Sequence, residues 1–284
     1  MEKRSAIVTG AGNGLGAAFA TSIAVAGARV LVNNRRHPDR PFSADAVLQV
    51  IEAAGGDGAT DDHAVDAERG PEEIVQAAID RWGRLDALVL NAGISGPAVK
   101  VGDGETDLRQ VMATNFFANT GLIEAALPHL KRSPAGRVVF VSSTGGLHGV
   151  RGRSAYAASK GALTAYALSL ADELRRGPVR VNVLAPYAAT NMTSRPGKPP
   201  DPRMAPDGAA DICAWLASEH CDRTGEIWVA GGGHVRAAKA MESRAAPFHP
   251  EQLDDLAALP DPRGFDGGEA AFADFYSDAF GERA

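Results

Sequence analysis

Residues 5–16 read Ser5-Ala6-Ile7-Val8-Thr9-Gly10-Ala11-Gly12-Asn13-Gly14-Leu15-Gly16: a short aliphatic run, a glycine-rich bend and the opening of a helical pattern. Glycines at such a bend let the backbone turn tightly and approach a pyrophosphate, whose charge meets the N-terminus of the following helix. Glycines alone also serve ordinary tight turns. The position between strand and helix is what points to a dinucleotide loop.

Outward from this unit, aliphatic runs alternate with segments of helical length. Strands are expected at Ser5–Thr9, Arg29–Asn33, Ala59–Asp66, Ala87–Asn91, Arg137–Ser142, Val179–Ala185 and Glu226–Ala230. Several are apolar at consecutive positions, such as Val138-Val139-Phe140-Val141, as strands covered on both faces are. Helical patterns lie between them at Ala17–Ala26, Pro71–Arg81, Leu108–Leu130 and Ala155–Leu174. This β-α-β order predicts an α/β fold, one Rossmann-type doubly wound parallel sheet of about seven strands with helices on both faces. The pattern ends near Gly233. Residues 1–236 are expected to form the catalytic domain and 237–284 a partly helical C-terminal extension. There Phe272, Phe275, Tyr276 and Phe280 make one aromatic stripe on a helix. The stripe suits packing on its own core or a neighbouring subunit, with a lid over a substrate pocket as the alternative.

The net charge of -6 gives no reason to expect nucleic acid or an anionic membrane as partner. Cys213 and Cys221 are too few for a disulfide framework, and no metal centre is expected. The start enters a strand at once, which leaves no room for a signal peptide, and no apolar run reaches the roughly 18 residues of a membrane span. A cytoplasmic protein is expected.

The end of the second strand bears on which dinucleotide is bound. A carboxylate there would hydrogen-bond the ribose of NAD; this chain has Asn34 followed by Arg35 and Arg36. An amide with guanidinium groups suits a 2′-phosphate, which favours NADP(H), with NAD(H) as the alternative and a solvated surface pair as the plainer role for the arginines. Further along, Tyr156 and Lys160 stand four apart at the start of a helical pattern and share a face. An ammonium beside a phenol lowers its pKa from about 10. Such a tyrosine exchanges a proton with a carbonyl or alcohol while a hydride moves. Ser143, at the sheet edge, can hydrogen-bond the same oxygen.

Together these residues resemble the short-chain dehydrogenase/reductase family over nearly all of residues 5–234. Thr9 to Gly16, with Gly10, Asn13, Gly14, Leu15 and Gly16, is similar to its TGxxxGxG loop. Asp66-Ala67 matches the pair at the adenine, and Leu90-Asn91-Ala92-Gly93 matches NNAG with its first Asn replaced. Asn115 matches the helix asparagine that holds a water of the proton relay, and Ser143, Tyr156 and Lys160 match the catalytic serine and YxxxK. The resemblance implies Tyr156 as general acid/base, Ser143 polarising the carbonyl, and Lys160 on the nicotinamide ribose while depressing the Tyr156 pKa. It also implies a homodimer or homotetramer.

The stretch after strand six reads Pro186-Tyr187-Ala188-Ala189-Thr190-Asn191-Met192-Thr193, where the family usually has PG. Thr190 can still reach the nicotinamide carboxamide. This form is similar to the (3R)-hydroxyacyl-CoA dehydrogenase modules of multifunctional β-oxidation enzymes, which carry aspartate where Asn34 stands and use NAD. The short, proline-rich segment from Asn191 to Met204 leaves an open mouth for a bulky or carrier-linked acyl group. Arg151, Arg153, Arg195 and Lys198 either meet a carrier phosphate there or are surface charge, and His148 is a pocket-lining candidate. The expected reaction is hydride transfer between nicotinamide and a ketone/secondary-alcohol pair, with 3-oxoacyl thioesters and polyketide- or steroid-like ketones as substrates. A non-catalytic NADP sensor or scaffold, or an epimerase or dehydratase of the same fold, is the alternative.

Overall fold

A computed structural model of the chain describes residues 3–189, 201–247 and 249–280. Strand β1 (Ser5–Val8) is buried along its whole length, as are β4 (Ala87–Leu90) and β5 (Arg137–Val141). Consecutive apolar residues suit this placement, because each face of a central parallel strand meets a helix layer. With β2 (Arg29–Asn33), β3 (Asp57–Asp61), β6 (Arg180–Pro186), β7 (Ile227–Gly231) and β8 (His234–Ala238) they form one sheet in the order β3-β2-β1-β4-β5-β6-β7-β8. The pairings from β3 through β7 are parallel. The order reverses between β1 and β4, and at such a switch point the loops on either side diverge to leave a crevice.

The connections are α1 (Gly14–Val25), α2 (Ser43–Ala53), α3 (Gly70–Trp82), α4 (Leu108–Met112), α5 (Ala118–Leu130), α6 (Thr144–His148), α7 (Ser154–Glu173) and α8 (Ala210–Ala217). Phe19 and Ile23 of α1 bury against Val8, Val30 and Val32, and Cys213 and Leu216 of α8 join the same core. The chain divides into two compact units, residues 1–236 and 237–284. In the second, a bridge joins Glu242 to Arg263 on either side of α9 (Leu253–Ala257), and α10 (Gly268–Phe280) follows it. Arg263 pairs with Asp274 at 2.6 Å and Asp278 at 3.1 Å. The rings of Phe272, Tyr276 and Phe280 meet in sequence along α10.

Three departures from expectation bear on the sheet and the site. β3 spans Asp57–Asp61 rather than Ala59–Asp66, because its ladder partner β2 ends at Asn33 and nothing remains for Asp62–Asp66 to pair with. The sheet has eight strands instead of about seven; β8 is exposed and carries no apolar run, so periodicity does not mark it. The helix expected over Leu108–Leu130 is interrupted by a π-helical turn at Ala113–Phe117.

Candidate active site

An open cleft of about 450 Å³ lies where the loops after β1, β2, β3 and β4 converge. Gly10, Asn13, Gly14, Leu15 and Gly16 line it from the first of these loops. Gly10 has φ +62°, and a Cβ there would sit 2.9 Å from Ala92 Cα, so two backbones approach as only glycine allows. Asn91 and Ala92 stabilise this approach: the Asn91 amide donates to the Thr9 and Gly10 carbonyls at 2.9 and 3.1 Å, and both backbone N–H groups donate to Thr9 Oγ1. Asn91, Ala92 and Gly93 also line the cleft. With the N-terminus of α1 opening onto the same space, the cradle fits a dinucleotide pyrophosphate.

Farther out, Asn34, Arg35, Arg40 and Ser43 line the wall beyond β2. Asn34 donates to Ser43 Oγ at 2.8 Å, tying the strand end to the start of α2. Arg36 turns away; its Nε bonds Asp62 at 3.0 Å and its guanidinium lies 4.4 Å over the Phe42 ring. Of the Asp66-Ala67 pair only Asp66 faces the cleft, accepting from Thr114 Oγ1 at 2.8 Å. Val65, not Ala67, supplies the adjoining apolar wall, because β3 ends early and the loop turns back into α3 at Ala67. Sequence reasoning also missed Asn33, His37, Arg40, Ser43 and Thr114 on this cleft.

The catalytic candidates gather at the ends of β5 and α7. Ser143 caps α6, accepting from Gly145 N at 3.0 Å, and its hydroxyl and the Tyr156 ring both border Gly145. Gly146 lets α6 lie directly on α7, since a Cβ there would sit 2.6 Å from the Lys160 carbonyl carbon. Ser142 fastens the same junction through the Lys160 carbonyl and Thr164. Lys160 is 4% exposed; its Nζ donates to the Val141 carbonyl at 2.7 Å, and burial pushes its pKa down to about 8. Asn115 sits on the π-helical turn, fully buried. It accepts from Ile94 N at 2.7 Å and donates to Ile94 O and Ser159 Oγ at 2.9 Å each. Its backbone carbonyl accepts from Asn119 Nδ2 at 2.7 Å.

One expectation is corrected here. Lys160 was to lower the Tyr156 pKa; in the structure burial raises it, opposed by the hydrogen bond to Ser143 and the charge of Arg153. The Lys160 ammonium is spent on a backbone carbonyl, and its own burial weakens its charge. The structure thus brings Ser143 and Tyr156 together around Gly145, with the buried Lys160 one turn later on α7. The family profile described as short chain dehydrogenase matches residues 4–199. The chain belongs to the short-chain dehydrogenase/reductase family.

As a member it is an oxidoreductase of the kind that acts on CH–OH groups with NAD(P)(H). It is 33% identical over 268 residues to a short-chain type dehydrogenase/reductase of Mycobacterium tuberculosis, covering 91% of this chain and 93% of that protein. It is equally 33% identical over 260 residues to peroxisomal multifunctional enzyme type 2 of Drosophila melanogaster, covering 89% of this chain but 42% of that protein, so it spans under half of that relative. Among solved structures, a short chain dehydrogenase from Mycobacterium avium superposes with TM-score 0.79 at 31% identity, over 92% of this chain and 97% of that one. The full-length Drosophila multifunctional enzyme superposes with TM-score 0.76 at 26% identity, over 96% of this chain and 48% of that one. Thr190, Arg195 and Lys198 lie outside the described residues, as do most of the positions from Asn191 to Met204. Tyr187 is exposed, as are Arg151 and His148. No described helix is long and apolar enough to cross a membrane.

Proposed function

We propose that this short-chain dehydrogenase/reductase reduces a bulky ketone to a secondary alcohol with NADPH. The observation that carries the reading is the juxtaposition of Ser143 and Tyr156 around Gly145, one helical turn from the buried Lys160. A bound nicotinamide would supply the hydride. Tyr156 gives its phenolic proton to the carbonyl oxygen as the alcohol forms, and Ser143 turns its hydroxyl to donate to the same oxygen. A phenol whose pKa is raised by burial stays protonated at neutral pH, which suits the donor of reduction. The reverse oxidation needs the phenolate, so it should quicken with rising pH while reduction declines. Lys160, with Asn91 to Gly93, would hold the ribose and nicotinamide side of the dinucleotide, and the glycine cradle its pyrophosphate.

Arg35, facing the cleft with no ion-pair partner among the described residues, supports NADP over NAD, and Asn34 in place of a carboxylate removes the charge that would repel a 2′-phosphate. For the substrate, similarity to the multifunctional enzymes of Drosophila and Dictyostelium discoideum and to the peroxisomal hydratase-dehydrogenase-epimerase of Saccharomyces cerevisiae supports a 3-oxoacyl thioester. A homo-oligomer and a cytoplasmic setting belong to the same proposal, the latter supported by two free cysteines; light scattering and cell fractionation test them. The chemistry is tested with Tyr156→Phe. NADPH binding, followed by dinucleotide fluorescence, should stay within about twofold, while turnover of 3-oxoacyl thioesters falls by roughly 10²-fold or more. Near-normal turnover would remove Tyr156 from the reaction.

A further inference from the structure

We infer that Arg40 is a second phosphate-holding arginine, so that cofactor choice is set jointly by Arg35 and by the strap of residues 37–42 between β2 and α2. This rests on the reading that the cleft takes NADP. Arg35 and Arg40 both line the cleft, and among the described residues neither guanidinium makes a hydrogen bond or ion pair. Arg40 belongs to a strap fastened at both ends. At its start Arg36 is held by Asp62 and stacks on Phe42; at its end Phe42 is 6% exposed and Asn34 is bonded to Ser43. Pinning Arg36 and Phe42 together closes the strap into a short loop, on which Arg40 borders the cleft that Arg35 also lines.

The electrostatics of the cleft favour an anion. Asp66 is the one carboxylate among the residues lining the cleft, and it is engaged by Thr114. Asp39, within the strap, lies beside His37 and does not line the cleft. Two planar guanidinium groups can share one phosphate through paired N–H···O bonds, which a ribose hydroxyl cannot match. Arg40 therefore adds discrimination against NAD as well as affinity for NADP.

The test is calorimetric titration of the full chain with 2′,5′-ADP and with 5′-AMP, which carry the adenosine end with and without the 2′-phosphate. The wild type should bind 2′,5′-ADP at least about tenfold more tightly, as expected for charge-assisted hydrogen bonds. Arg40→Ala should weaken 2′,5′-ADP by roughly tenfold and leave 5′-AMP within about twofold. Arg40→Lys should fall between, because it keeps charge and loses the fork, and unchanged melting curves for both variants establish that they are folded. If Arg40→Ala leaves 2′,5′-ADP affinity unchanged while Arg35→Ala lowers it, the inference fails and the NADP reading stands. If the wild type binds both nucleotides equally, the NADP reading itself fails and the inference with it.

Discussion

Lys160 holds its ammonium in the protein interior against a neutral carbonyl, Val141 O, and its pKa falls from 10.5 to about 8. Between those values the unfolded chain binds the proton and the folded chain does not, so stability rises with pH across that window. Below about pH 8 both states are protonated and the burial penalty, on the order of 3 kcal/mol, is fully felt. Lys160→Met removes the titrating group. Urea unfolding at pH 7 and pH 9.5 should show the wild type gaining about 2 kcal/mol relative to this variant; parallel pH profiles would mean that Lys160 titrates as an exposed lysine does. Lys160 and Tyr156 were legible as a pair from their spacing, and Ser143 from its place at a strand end. The direction of the Tyr156 pKa was not legible, because spacing reports which face two groups share and says nothing of how far each is desolvated.

The π-helical turn Ala113–Phe117 shows what an element adds to a residue. Its wider ring turns Asn115 inward, where one side chain satisfies both backbone groups of Ile94 and reaches Ser159 on α7. Ile94 and Gly93 line the cleft, so the turn couples the floor of the cofactor site to the helix bearing Tyr156 and Lys160. Asn115→Ala would strip Ile94 of both partners and should cost about 2–4 kcal/mol in urea unfolding, with weaker dinucleotide binding alongside. A loss under about 0.5 kcal/mol would show that backbone or solvent replaces the clamp. The sequence marks this region as helical by its apolar spacing, but a π turn inserts a residue without altering composition, so it left no sign. The same holds for the strap after β2, where Arg40 comes to face the cleft through contacts of Arg36 and Phe42 that no periodicity encodes. The buried strands, by contrast, were legible because a strand covered on both faces must be apolar at consecutive positions.

Across the whole molecule, stability is unevenly shared. The fully buried apolar side chains among the described residues all fall between Ala6 and Ala230, within the first unit. The second unit is held instead by ion pairs, with Arg263 bonded to Asp274 and Asp278 and Lys239 to Asp266 at 2.9 Å. Exposed pairs such as Lys239–Asp266 contribute little, and even the half-buried Arg263 pairs are open to screening by salt, whereas buried apolar area is not. A chain ending at residue 239 should therefore keep its thermal midpoint within a few degrees and bind NADPH as the full chain does. Its loss should appear elsewhere. The rings of Phe272, Tyr276 and Phe280 meet in a tilted series along one stripe, and a stripe of that size is expected to cover apolar surface of a neighbouring subunit or of a bulky substrate. Light scattering of the truncated chain should then report a smaller assembly, or steady-state kinetics a higher KM for long acyl thioesters with short ketones unaffected. If mass and both KM values match the full chain, the extension has no part in assembly or substrate binding. A collapse of the thermal midpoint would instead show that the core of residues 1–236 depends on it.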